Sequence, residues 1–110
     1  MVISIKNKKR STLRMKIKVK GYFNFKKVFR NLGISEIEMA GGTLRGLFDV
    51  LSNRFGEEFT ALIYDSRTKR VRGDIRILLN GRHIVHLPKG LDTELKEGDE
   101  IALFPPVAGG

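Results

Sequence analysis

One amphipathic helical segment set among short alternating stretches limits this chain to a small fold that combines one helix with one sheet. Between Thr43 and Phe55, apolar side chains recur at helical spacing and form a single stripe: Leu44, Leu47, Phe48, Leu51 and Phe55. Thr43 is positioned to cap the first turn, and Gly56 fits a C-terminal cap. Gly46 inside the segment costs roughly 1 kcal/mol relative to Ala, which predicts close packing at that point.

Two stretches before the helix are predicted to be strands. From Leu13 to Val19, apolar residues alternate with Arg and Lys, which is the period of a half-buried strand with a basic, solvated side. Ile34, Ile37 and Met39 mark a second strand in which Ile34 and Ile37 break strict alternation. Residues 21–33 between them are predicted to turn the chain around a short apolar cluster: Phe25, Val28, Phe29 and Leu32.

Further short strands follow the helix. Residues 75–79 alternate clearly, Asn80-Gly81 is a two-residue hairpin signal, and residues 82–85 return from it. The final strand is predicted at 100–104, after a loop or short helical turn at 91–95 and a turn at 97–99. The stretch 57–73 is the least regular, and we interpret Leu62, Ile63 and Tyr64 as a short strand before a turn at 65–69.

These elements predict an α+β fold of the β-grasp, ubiquitin-like type. One helix can cover one face of a small mixed sheet, and a right-handed crossover through it places later strands beside the first. Residues 1–12 are interpreted as a basic flexible extension and residues 13–110 as the folded domain. The 110 residues suffice for one domain with a modest core.

Composition excludes several kinds of chemistry. The chain has no cysteine, so disulfides, thiolate metal sites and a cysteine nucleophile are excluded. No apolar run reaches the roughly 20 residues of a membrane span, and no secretory signal is evident, which predicts a cytoplasmic protein without a membrane partner. His83 and His86 are three residues apart and are interpreted as polar hairpin residues, so no metal site is predicted. We find no nucleophile–base pair or carboxylate dyad, and the chain is not predicted to be an enzyme by itself.

The net charge of +9 is concentrated at the N-terminal end. Residues 1–30 hold 11 of the 21 Lys and Arg and no acidic residue. Such a segment could attract nucleic acid. We favour a solvated strand face and a loose basic tail, because no RNA-binding motif accompanies the charge and Tyr22, Phe23 and Phe25 lie where a core would use them.

The sequence ends in Phe104-Pro105-Pro106-Val107-Ala108-Gly109-Gly110. A free carboxylate at Gly110 is ionised at neutral pH and can attack the α-phosphate of ATP, which gives an acyl-adenylate. A tail of glycines has no side chains to obstruct a narrow channel, and the two prolines favour an extended approach. We therefore expect Gly110 to carry the chemistry.

The motifs Leu79-Asn80-Gly81-Arg82, Leu91-Asp92-Thr93 and the run from Leu95 to Gly110 resemble the MoaD family, the small subunits of molybdopterin synthase among the MoaD/ThiS sulfur carriers. The resemblance implies adenylation of Gly110 by a MoeB-like, ubiquitin-activating-type enzyme that uses ATP, with no cofactor bound to the chain itself. It implies a sulfurtransferase that converts the terminus to a thiocarboxylate, and a MoaE-like large subunit that holds the synthase active site.

The same resemblance implies that the terminal segment binds the partner and that Gly110 is the carrier: Phe104, Pro105, Pro106, Val107, Ala108 and Gly109 would form the docking segment. Relatives of this kind also serve thiamine synthesis, tRNA thiolation or conjugation to protein lysines. All of these functions use the same activation of the C-terminal carboxylate. A nucleic-acid-binding module is the remaining, less favoured alternative.

Overall fold

The computed structural model describes residues 14–30 and 34–106. Within these residues, five strands form one sheet in the order β2-β1-β5-β3-β4. Their bounds are Met15–Gly21 (β1), Ile34–Met39 (β2), Arg76–Leu79 (β3), Arg82–His83 (β4) and Glu100–Phe104 (β5). β1 is antiparallel to β2 and parallel to β5, whereas β3 is antiparallel to both β4 and β5. This mixed sheet confirms the predicted β-grasp fold.

Across the described ranges, three helices and two short 3₁₀ turns accompany the sheet. The helices are α1 (Asn24–Val28), α2 (Leu44–Phe55) and α3 (Glu57–Ile63), and the 3₁₀ turns are Ile84–His86 and Gly90–Asp92. Within residues 14–30 and 34–106, no helix has the length and apolar character needed to cross a membrane.

The core lies between the sheet and the helices, as the alternation in β1 requires. Met15, Ile17 and Val19 are buried while the lysines between them point outward. α2 buries Leu44, Leu47, Phe48 and Leu51 as predicted, but Phe55 is only partly buried and packs against Phe29 with ring centroids 4.9 Å apart. The predicted caps are confirmed, since Gly46 N donates to Thr43 Oγ1 (3.2 Å) and Gly56 N donates to Ser52 O (2.8 Å).

The predicted turn between β1 and β2 contains the helix α1. Phe25, Val28 and Phe29 stand at i, i+3 and i+4 and are all buried, so the apolar cluster is confirmed in helical form. Leu32, the fourth predicted member, lies outside the described residues. Gly21 is required at the end of β1, because a Cβ there would come within 2.6 Å of the Phe29 ring.

The predicted strand at Leu62–Tyr64 is wrong. These residues end α3, in which Phe59 and Ile63 are fully buried one helical turn apart. A short apolar run does not by itself distinguish a strand from a helix end, and here packing against α1 and α2 decides for the helix. Tyr64 then forms an isolated bridge to Val71, and the predicted turn at 65–69 is confirmed between them.

Two further details differ from the sequence prediction. The nearest atoms to a Cβ at Gly46 would be 3.8 Å and 3.9 Å away, which is ordinary contact, so the close packing expected there is wrong. The strand that returns from the Asn80-Gly81 hairpin has only two residues, because a 3₁₀ turn begins at Ile84.

The break in the alternation of β2 is resolved by exposing Ile34. Ile37 and Met39 are buried, whereas Ile34 remains 51% exposed on the opposite side together with Glu36 and Glu38. The two glutamates point outward as expected. Ile34 therefore belongs to the solvated face of the sheet and not to its core.

The Asn80-Gly81 turn fixes where β5 begins. Both residues have positive φ (51° and 87°), as a two-residue hairpin of this kind requires. The Asn80 side chain donates to Asp99 Oδ1 and accepts from Glu100 N, each at 2.9 Å. The turn thus holds the first residue of β5 by its side chain as well as through the ladder.

Candidate functional site at the root of the C-terminal tail

The predicted docking segment begins where β5 ends. β5 lies inside the sheet, between β1 and β3, so the chain leaves it from a strand paired on both sides. Phe104 and Pro105 are half-buried and Pro106 is exposed. The other predicted site residues lie outside the described residues: Val107, Ala108, Gly109 and Gly110.

Tyr22 stacks on Phe104 at this root. The ring centroids are 4.2 Å apart with only 4° between the planes, and Tyr22 N donates to Leu103 O at 3.0 Å. The end of β1 and the end of β5 are thereby joined by both main chain and side chain. The first residue of the docking segment is held before the tail begins.

The prediction that Tyr22, Phe23 and Phe25 are core residues is correct for Phe25 only. Tyr22 is 37% exposed and Phe23 is 73% exposed. The alternation in β1 predicts this exposure of Tyr22, because Tyr22 is an even number of residues from Lys18 and Lys20, which lie on the outer side of the strand. Sequence reasoning therefore missed Tyr22 as a partner of the tail root.

Phe23 occupies a strained position in the turn that leaves β1. Phe25 N donates to Tyr22 O (3.1 Å), and Phe23 between them has φ 56° and ψ −118°. These angles are those of the first central residue of a type II′ turn, where Gly is the usual residue. A side chain in such a sparsely populated region costs on the order of 1–3 kcal/mol.

A shallow groove lies beside Phe104 on the outer side of β3 and β4. Its apolar lining comprises Leu78, Val85 and Phe104, and its polar lining comprises Arg76, Arg82, His83 and His86. Among the described residues no carboxylate lines it. Because Arg76 is the register partner of Phe104, the cationic side of this groove adjoins the tail root.

The basic side of β1 is matched by glutamates on both neighbouring strands. Lys16 and Lys18 lie opposite Glu38 and Glu36 in the register with β2. On the β5 side, Lys20 pairs with Glu100 at 2.9 Å, and this hydrogen bond raises the pKa of the lysine. The glutamates beside these lysines support the interpretation of a solvated face over a nucleic-acid surface.

The hairpin at 64–72 is a self-contained polar unit. Asp65 Oδ1 accepts from Arg67 N (2.8 Å) and Thr68 N (3.1 Å), and these backbone donors, with Thr68 first, lower the pKa of its carboxyl. Arg72 pairs with Asp74 at 2.8 Å. These contacts account for the turn.

The two histidines have polar roles in the second hairpin. His83 Nδ1 accepts from Val85 N at 3.1 Å, which caps the 3₁₀ turn, and His86 lines the groove. In the part of the chain that the structure describes, no three His, Asp or Glu side chains come together as metal ligands.

The fold and the site together define a ubiquitin-like carrier, in which the inner strand β5 leads into Pro105 and Pro106. The ThiS family model matches residues 25–110, and the chain belongs to that family. It is a ubiquitin-like sulfur carrier of the ThiS/MoaD type.

Three similar proteins illustrate the range of the family. A protein of Archaeoglobus fulgidus named "Putative sulfur carrier protein" is 35% identical over 80 residues, which cover 73% of this chain and 88% of that protein. "Small archaeal modifier protein 3" of Haloferax volcanii is 50% identical over 40 residues, which cover 36% of this chain and only 42% of the modifier. The structure of "Putative molybdopterin converting factor, subunit 1" from Pyrococcus furiosus matches with a TM-score of 0.63 and 30% identity, over 84% of this chain and 99% of that one.

Members of this family are small sulfur carriers or modifiers and not catalysts themselves. The carriers work with adenylating enzymes of the ubiquitin-activating type and with synthase or sulfurtransferase partners.

Proposed function

We propose that this protein carries sulfur as a thiocarboxylate on Gly110 and donates it in the synthesis of molybdopterin, as the small subunit of the synthase. The observation that carries the proposal is a Pro-Pro-Val-Ala-Gly-Gly tail that follows the central strand of a ThiS-family fold. At about 3.3 Å per residue, residues 105–110 span at most about 20 Å, which suffices to enter a partner's active site.

The activation step takes place at the Gly110 carboxylate. One carboxylate oxygen bonds to the α-phosphorus of ATP, the bond to the bridging oxygen breaks, and pyrophosphate leaves. Hydrosulfide then attacks the carbonyl carbon of the acyl-adenylate, AMP leaves with the former carboxylate oxygen, and a proton is released. Glycine at 109 and 110 leaves the carbonyl open to both attacks, because neither residue has a Cβ.

The body of the protein positions this tail. The Tyr22–Phe104 stack and the β1 and β3 ladders hold the last residue of β5, so that Pro105 and Pro106 set the initial direction of the tail. In the proposed synthase, Phe104 to Gly109 dock on the large subunit, which supplies the active site. The sulfur then passes to cyclic pyranopterin monophosphate.

Mass spectrometry tests the carrier chemistry directly. The full chain is incubated with ATP, a sulfide source and the adenylating enzyme from the same genome. Replacement of one terminal oxygen by sulfur raises the mass by about 16 Da, and iodoacetamide then labels the product because a thiolate is the reactive nucleophile. Since the sequence has no cysteine, alkylation at this thiolate is readily assigned to the terminus.

Two variants serve as matched controls for this assay. Deletion of Gly109 and Gly110 leaves the terminal carboxylate on Ala108, two residues short of its normal position, and addition of one residue after Gly110 moves it one residue too far. Both variants are expected to retain the Tm of the parent and to form no adenylate. If the extended variant is adenylated as fast as the parent, Gly110 is not the carrier.

The acceptor is tested with the thiocarboxylated chain, the large synthase subunit and cyclic pyranopterin monophosphate. Formation of the dithiolene product with stoichiometric loss of the thiocarboxylate supports the molybdopterin assignment. The resemblance to the converting factor from Pyrococcus furiosus favours this acceptor. If all sulfur stays on Gly110 in the presence of the large subunit and cyclic pyranopterin monophosphate, the molybdopterin assignment is refuted. Thiamine synthesis or tRNA thiolation then remains as the acceptor pathway.

A second candidate function is conjugation to protein lysines. It is favoured by the 50% identity of 40 residues to an archaeal modifier. An amine that attacks the same adenylate would give an isopeptide bond at Gly110 with loss of AMP. Tryptic peptides in which a lysine carries the C-terminal segment 97–110, which follows the last lysine of the chain, would support it if they occur in cells that contain this chain and are absent when Gly110 is deleted.

A further inference from the structure

We propose that Phe23 is an apolar anchor that inserts into the adenylating enzyme when that enzyme takes the tail. This inference rests on the proposed activation of Gly110 and names a contact through which the body of the carrier is recognised. It concerns the turn between β1 and α1, outside the predicted docking segment.

Phe23 contributes little to the fold that contains it. Its ring is 73% exposed, whereas Phe25 and Phe29 nearby are buried at 0% and 1%. Its φ of 56° and ψ of −118° are those at which a type II′ turn favours Gly. A large side chain that is both exposed and held in a strained conformation is a local inconsistency, and such positions cluster at functional sites.

The position of the turn connects this ring to the tail. Tyr22 immediately precedes Phe23, donates from its N–H to Leu103 O, and stacks its ring on Phe104. Phe23 and Pro105 therefore leave the body from neighbouring strand ends. An enzyme that closes around the tail from Pro105 onward meets this turn at the mouth of its channel.

The charged residues near Phe23 indicate which residue types the adenylating enzyme presents to it. Lys26 and Lys27 are exposed in the next turn of chain, and Arg76 adjoins Phe104 in the register. We infer a receiving pocket that is apolar at its base, to bury the ring, and acidic at its rim, to complement these cations. Aromatic residues are prominent among those whose loss weakens an interface most.

Phe23→Gly separates anchoring from folding because the two effects have opposite signs. Removing the Cβ relieves the strain, and this gain is expected to exceed the loss caused by the greater backbone freedom of Gly in the unfolded chain, so the Tm is expected to rise by a few degrees. Loss of the ring is expected to raise the KM of the adenylating enzyme for the carrier by about tenfold or more while kcat is retained, since the anchor contributes binding before the chemical step.

Two further variants sharpen the test. Phe23→Trp keeps an aromatic ring at the position and is expected to keep KM within about threefold of the parent. Ile34→Ala removes another exposed apolar side chain, on the edge strand two positions from β5, and is expected to leave KM unchanged. ATP–pyrophosphate exchange driven by each full-length carrier gives kcat and KM, and circular dichroism gives the Tm.

The outcomes distinguish this inference from the function on which it rests. If the parent chain drives no exchange with its adenylating enzyme, the proposed function fails and the anchor with it. If the parent is active and Phe23→Gly has the same KM, the anchor alone is refuted. A fall in Tm for Phe23→Gly, or an equal rise in KM for Ile34→Ala, also overturns it.

Discussion

Tyr22 and Phe104 lie ring on ring, with centroids 4.2 Å apart, and join the end of β1 to the last residue of β5. Neither ring belongs to the buried core, so their contact can be removed without opening a large cavity. In a double-mutant cycle of Tyr22→Ala and Phe104→Ala, chemical denaturation is expected to give a coupling energy of about 0.5–1.5 kcal/mol.

Ile34→Ala combined with Phe104→Ala is the control for this cycle. The two residues are on β2 and β5, separated by β1, and their effects are expected to add within about 0.5 kcal/mol. Equal coupling in both cycles would show that the stacked rings do not interact specifically.

Phe48 and Leu51 of α2 are fully buried in the core. Replacing either by Ala is expected to lower the free energy of unfolding by roughly 2–5 kcal/mol, because both the lost burial and the remaining cavity destabilise the fold. Asn53→Ala, at an exposed position of the same helix, is the control and is expected to stay within about 0.5 kcal/mol of the parent. An unchanged denaturation midpoint for both core variants would contradict this packing.

Asn80 combines a positive φ with two side-chain hydrogen bonds to the start of β5. Asn80→Ala loses both bonds and keeps a Cβ at φ 51° without the side-chain contacts that compensate for it in Asn. A destabilisation of about 2 kcal/mol is therefore expected. Asn80→Gly loses the bonds but tolerates the backbone, and its loss is expected to be smaller. Thermal unfolding of the two variants would reveal the order. The reverse order would show that the positive φ is not costly for Ala, and an unchanged Tm in both variants would show that the side-chain bonds do not stabilise the fold.

Asp65 gives the hairpin at 64–72 a dependence on pH. Backbone N–H donors lower the pKa of its carboxyl in the folded state, so its charge stabilises the fold above the unfolded pKa of about 3.9. This contribution is lost as the pH falls through the lower folded value. The Tm of Asp65→Asn is therefore expected to lie below that of the parent at pH 7 and to approach it at pH 2–3. A Tm gap that is constant with pH would show that the charge plays no part.

Much of the fold follows from period and turn chemistry that the sequence displays. The β1 alternation, the α2 stripe and the Asn80-Gly81 turn each depend on local preferences that agree with the tertiary structure. The helix at 57–63 was missed because its signal is only Phe59 and Ile63 at i and i+4. A seven-residue helix whose N-cap is Gly56, with no side-chain cap, gains its stability from packing and not from propensity.

The candidate site could be predicted only where a local sequence pattern marks it. Phe104 and its prolines follow directly from the terminal motif, but Tyr22 depends on which face of β1 it shares and on the parallel register that brings β1 beside β5. That register pairs residues about eighty positions apart in the sequence, and it depends on the packing of all the strands, which no local pattern shows. The exposure of Phe23 depends on a positive φ, which a phenylalanine in a sequence does not indicate.

The parallel pairing of β5 with β1 also determines how the protein responds to force on its tail. Tension along β5 acts at right angles to most of the ladder bonds, because these run across to the strands on either side. Such tension loads the bonds to β1 and β3 together in shear instead of opening them one at a time. A partner that pulls on the C-terminus therefore loads both ladders of β5 in shear. We expect the folded body to resist unfolding under such a force.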